Sequence, residues 1–192
     1  MFRRIPKPLI ALIGMMLITP QIWATTVLEM NLAALTDKSD RIFLGTVLDV
    51  SEVSVEAGGG TLTGIKYRLR VDEDFMGNVA TVKGQKIAEV TMLGSLKQYH
   101  SGRTPIAGFP RLEIGKDYLL MVAPEGPLGL TTTMGLNQGT FSVYADPATR
   151  ETMARNGFNN ASLFKGMSGN YPDSGPISYD SLAGAIRSEL GN

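Results

Sequence analysis

Ile65-Lys66-Tyr67-Arg68-Leu69-Arg70-Val71-Asp72 alternates strictly between apolar and charged residues. Period-two alternation puts Ile65, Tyr67, Leu69 and Val71 on one face and the charges on the other, the mark of a strand with one buried side. Working upstream, Gly58-Gly59-Gly60 supplies a turn. No Lys-Ser/Thr follows the three glycines, so a hairpin is the reading rather than a phosphate loop. Before that turn, Ile42, Leu44, Thr46, Leu48 and Val50 share one phase, and the phase shifts at Val53 and Val55. Such a slip predicts a β-bulge near Ser51-Glu52.

Working downstream, Asp72, Glu73 and Asp74 read as a solvated strand end, because the spaced oxygen ligands of a calcium loop are missing. Residues 86–93 form a further strand, and residues 94–116 a long loop containing Gly102, Pro105, Gly108 and Pro110. Loops of that length in compact domains are often functional. Residues 118–123 are continuously apolar and read as a buried strand. Residues 128–134 predict a fifth strand and residues 140–144 a sixth.

Before the sheet, Thr26-Val27-Leu28-Glu29 matches a capping box, and Leu28, Leu32 and Leu35 follow at helical spacing, which predicts a helix ending near Asp37. After it, Asp146-Pro147 reads as a helix start and Gly157 as its stop. Residues 156–178 are rich in Gly, Asn, Ser and Pro and read as a loop, while Leu182, Ala185, Ile186 and Leu190 line one face of a last helix. The expected architecture is mainly β: an OB-like five- or six-stranded barrel over residues 25–145, with an N-terminal helix and a helical C-terminal extension over residues 146–192.

Residues 1–24 have the order of an export signal. Arg3, Arg4 and Lys7 come first, an apolar run from Leu9 to Ile18 follows, and Ile22-Trp23-Ala24 offers a small residue before a cut. The run is well short of the roughly 20 residues a spanning helix needs. Cleavage after Ala24 would leave 15 cations against 18 anions, a formal charge of −3, and would remove the only tryptophan. A weakly acidic chain without a basic stripe gives no reason to expect nucleic acid as a partner. The chain has no cysteine, so disulfides and an N-terminal lipid anchor on cysteine are excluded.

Catalytic groups are scarce. His100 is the only histidine, and no nucleophile elbow accompanies it, so a hydrolase using His100 is the alternative rather than the leading reading. Ser162-Leu163-Phe164-Lys165 matches the Ser-x-x-Lys of penicillin-recognising enzymes, but Ser168-Gly169-Asn170 follows too closely and a Lys-Thr-Gly strand is missing. With one His and no Cys, no metal site and no cofactor is expected. In Gly108-Phe109-Pro110-Arg111-Leu112-Glu113-Ile114-Gly115-Lys116, Leu112 and Ile114 would anchor the loop, and Phe109 and Arg111 are candidate contacts, with Phe109 as a core cap the alternative.

Ser39-Asp40-Arg41-Ile42-Phe43-Leu44-Gly45-Thr46-Val47, the strand 65–71, Phe75-Met76-Gly77 and Gly115-Lys116-Asp117-Tyr118-Leu119-Leu120 together resemble the netrin-type OB barrel of the tissue inhibitors of metalloproteinases. The resemblance covers residues 25–134. In that family the amine and carbonyl of an N-terminal cysteine chelate the protease zinc, which implies that Thr25, with Thr26 beside it, would hold the equivalent place. This chain has none of the family's cysteines, and a helix from Thr26 would stand where an extended wedge is needed. The expected function is an exported, non-catalytic protein-binding module whose partner is another exported protein, a secreted metalloprotease if the resemblance extends that far. A structural component of the cell envelope is the other alternative.

Overall fold

The computed structural model describes residues 28–77 and 79–191. The expected signal, its cleavage site and the candidate residues Thr25 and Thr26 lie outside the described residues. The protein is mainly β. Eight strands, β1 (Arg41–Ala57), β2 (Gly60–Met76), β3 (Ala80–Val82), β4 (Gln85–Leu93), β5 (Asp117–Val122), β6 (Thr140–Ala145), β7 (Thr152–Asn156) and β8 (Ile177–Ser178), form one antiparallel sheet in the order β3-β4-β2-β1-β5-β6-β7-β8. Three α-helices accompany them among the described residues: α1 (Leu32–Lys38), α2 (Leu96–His100) and α3 (Tyr179–Leu190).

Alternation in β2 works as its sequence reads. Ile65, Tyr67, Leu69 and Val71 are buried, and Arg68 and Arg70 are exposed. They meet Phe43 and Val47 of β1, Ala88, Val90 and Met92 of β4, and Tyr118, Leu120 and Val122 of β5 in one core. The opposite face of β1, β5 and β6 carries a second core, where Ile42, Leu119, Met121 and Phe141 pack against Leu32 and Leu35 of α1 and Leu182, Ala185 and Ile186 of α3. This explains the unbroken apolar run of β5. Its successive residues alternate between two cores, and neither face is wet.

Several elements depart from the sequence expectation. The helix begins at Leu32, not Thr26, because Asn31 caps it: its side chain accepts from Ala34 N at 3.0 Å, and residues 28–30 are not helical. The register shifts of β1 lie between Ile42 and Asp49, and pairing with β2 runs unbroken from Asp49 to Ala57, so there is no bulge at Ser51-Glu52. The phase slip at Val53 and Val55 instead reflects apolar side chains on the outer face.

Residues 128–134 make no named strand. They contribute an isolated bridge, Thr133 to Val122, with Thr131 N donating to Thr91 O of β4 at 2.8 Å and Ala123 N to Thr132 O at 2.9 Å. The strand order is therefore open, with β3 and β8 at its edges. The C-terminal region is not helical from Asp146. That residue's carboxylate instead accepts from Ala148 N and Thr149 N, both at 2.9 Å, Arg150 adopts a left-handed φ of 64°, and the chain returns as β7 against β6. The same N-cap chemistry that starts helices also closes turns.

Candidate functional site

The long segment between β4 and β5 covers one end of the first core. Ser95 and Gln98 form a reciprocal capping box that starts α2, a short helix inside the expected loop. Tyr99 of α2 is buried edge-on to Tyr67 with ring centroids 6.2 Å apart. Arg111 reaches back over this ring, its guanidinium carbon 4.7 Å from the centroid, while its Nε donates to Tyr99 O at 3.0 Å and it pairs with Glu113 at 2.7 Å. Arg111 is thus a clamp that fixes the segment to the core. Burial pushes the Tyr67 hydroxyl up to about 12, and burial likewise raises that of Tyr118. Leu112 anchors the segment with no exposure, whereas Ile114, expected to do the same, is exposed.

Phe109 is half-buried and lines a narrow pocket with Tyr67, Met92, Tyr99 and Arg111. It is thus neither a fully buried core cap nor a fully exposed side chain.

The turn over residues 135–138 is the hub of this end of the molecule. Gln138 is buried, and its amide acts as a strand would: Nε2 donates to Leu28 O at 2.8 Å, and Oε1 accepts from Met30 N at 2.8 Å. Asn137 N donates to Gly108 O at 3.1 Å, and Asn137 O accepts from Gly157 N at 3.0 Å. Between them Leu136 holds a left-handed φ of 59°, a conformation costly for a residue with a Cβ. Its carbonyl accepts from the Thr133 hydroxyl at 2.7 Å and from Gly139 N at 3.2 Å, bonds that hold the strained turn in place.

Three separate stretches of chain are therefore tied to four residues. Each brings a large apolar side chain left in solvent: Leu28 at 76% exposure, Ile106 at 49% and Phe158 at 43%. Beside the hub a polar cleft is lined by Arg111, Lys116, Asn137, Ser142, Tyr144 and Arg155.

His100 is exposed, its ring edge-on to Tyr99 at 5.4 Å between centroids. Ser162 belongs to the turn that brings Leu163 and Phe164 to the second core, whereas His100 adjoins the first, so these two residues are not brought together. Among the described residues, no group of three or more His, Cys, Asp or Glu side chains is placed to hold a metal ion. No helix among them is long and apolar enough to cross a membrane.

The sequence reading missed Gln138, Leu28, Ile106 and Phe158 as site residues. An exposed apolar side chain has no local signature, and the partners of Gln138 lie about a hundred positions away in the chain. The chain matches no family model, no curated protein and no solved structure.

Proposed function

We propose that the protein is exported, is cleaved after Ala24, and acts as a non-catalytic binding module for another exported protein. The observation that carries this reading is the 135–138 turn, to which the three stretches carrying the solvent-exposed apolar side chains Leu28, Ile106 and Phe158 are tied by hydrogen bonds. Exposed apolar side chains scattered singly need no explanation, but several on stretches fixed to one strained turn are the raw material of a protein contact.

The proposal extends to the barrel. β4, β2, β1 and β5 all direct side chains into the first core, and residues 131–133 bond to both β4 and β5. An OB-like barrel closed along that seam accounts for these bonds.

The resemblance to the tissue inhibitors of metalloproteinases sharpens the reading. The helix expected from Thr26 begins only at Leu32, and residues 28–30 are non-helical and held by Gln138, which supports this reading. In this reading the Thr25 amine and carbonyl chelate the zinc of a secreted metalloprotease, which requires a neutral amine and an unobstructed terminus. The test is residual activity of metalloproteases secreted by the same organism, titrated with protein beginning at Thr25 and with protein carrying one extra Ala before it. Inhibition by the first form alone is expected. Equal inhibition by both, or by neither, eliminates the zinc mechanism and leaves the binding module.

A further inference from the structure

The β1–β2 hairpin outruns its neighbours. β5 pairs with β1 only from Arg41 to Thr46, and the last bonds on that side join Val47 to Lys116 and Gly115. From Leu48 to Ala57, β1 is paired to β2 alone among the described residues, which leaves ten residues of strand edge open. Proteins usually blunt such edges with Lys, Pro, bulges or a covering element. Residues 42–65 contain no Lys, Arg or Pro, and past Asp49 the register has no bulge.

The two faces of this arm differ. Val53 and Val55, with Leu62 opposite Val55, lie on the outer face, where Val53 and Leu130 converge over Gly64. Glu52, Ser54 and Glu56 lie on the face continuous with Ile65 and Tyr67, opposite Ile65, Thr63 and Thr61.

We infer that this edge is a docking site for an extended segment of a partner protein in which apolar residues alternate with Lys or Arg. A strand added to β1 would extend both faces at once. Its residues on the outer face would meet Val53 and Val55, and those on the other face would meet Glu56, beside Glu52, whose carboxylate already accepts from Leu96 N at 2.8 Å, so the period-two pattern of the occupant follows from that of β1. A second copy of this chain is the poorer occupant. Two such edges would bring together six carboxylates, from Asp49, Glu52 and Glu56 of each copy, with no Lys or Arg on either edge strand after Arg41. This surface is separate from the hub at residues 135–138, so either can fail alone.

The test uses three labelled peptides titrated by fluorescence anisotropy: one alternating Val and Lys, one of the same composition with the alternation scrambled, and one alternating Val and Glu. Amide exchange is followed over residues 49–57. The inference expects the Val-Lys peptide to bind at least roughly tenfold tighter than the scramble and to slow exchange in this stretch. Glu56→Lys should weaken it by about threefold, the scale of an exposed ion pair, and Ser54→Pro, whose N–H faces the open edge because Thr63 opposite it bonds to Gly94, should remove it with the circular dichroism unchanged. Glu56→Lys alone suffices should the proline variant fail to fold. No binding, equal affinity for the scramble, protection elsewhere, or a concentration-dependent dimer that protects residues 49–57 without peptide would overturn the inference.

Discussion

Gln138 does with one side chain what a strand does with its backbone. It satisfies Leu28 O and Met30 N in a place where both are partly buried. Gln138→Ala should therefore cost about 2 kcal/mol, the sum of two hydrogen bonds and the exposure of their partners, measurable by urea denaturation. Gln138→Glu keeps the acceptor for Met30 N but loses the donor to Leu28 O, so it should be nearly as damaging. Facing within β2 gives a sharper contrast. Tyr67 is 4% exposed and its neighbour Arg68 is in solvent. Tyr67→Asp should unfold the protein, because an unpaired buried charge costs several kcal/mol. Arg68→Asp should cost no more than about 1 kcal/mol, set by repulsion from Asp49 and Glu89 opposite it. Urea melts of both variants check this, and equal costs would reject the facing. That alternation was legible because it is local. The roles of Gln138 and Arg111 were not, since each depends on a partner brought near only by folding.

At the level of elements, β1 is the strand on which both cores turn, and Gly45 is its tight point. A Cβ there would lie 2.5 Å from Arg70 O, beside a register shift between Leu44 and Gly45. Gly45→Ala should cost about 1–3 kcal/mol by forcing the backbones apart, seen as a lowered melting temperature. The central strands were readable from period-two runs, and α3 from its apolar face. β7 was not, because Asp146-Pro147 carries the same signal for a turn as for a helix, and only Arg150 in a left-handed conformation turns the chain back.

That turn is also sensitive to acid. The backbone N–H groups of Thr149 and Ala148 hold the Asp146 carboxyl below its usual range. A lowered folded pKa contributes stability that is present above the unfolded value and lost as pH falls through the folded one. The amides of Ala148 and Thr149 should thus lose their protection from exchange as pH falls below the ordinary carboxylate range, while the core strands keep theirs.

In the whole molecule, two cores share one sheet, and tyrosines, buried in the first and half-buried against the second, mark both. Tyr67 and Tyr118 belong to the first, and Tyr179, raised by burial and by its hydrogen bond to Glu73, packs on the second. For Tyr67 the stability this raised hydroxyl contributes is complete below about 10 and is lost as pH rises through about 12, and the raised hydroxyls of Tyr118 and Tyr179 act in the same direction. Alkaline unfolding should therefore coincide with tyrosinate absorbance from these rings.

The mainly β architecture followed from composition and periodicity. The convergence on one turn of the stretches that carry Leu28, Ile106 and Phe158 did not, because they are distant in the chain. Its role in binding is tested most directly by capture from the exported proteome, with the wild-type protein and a Leu28→Asp/Ile106→Asp variant of unchanged circular dichroism as baits. The account predicts that the wild type retains a defined protein in near-stoichiometric amount and that the variant does not. Equal retention by both, or retention by neither, would contradict it.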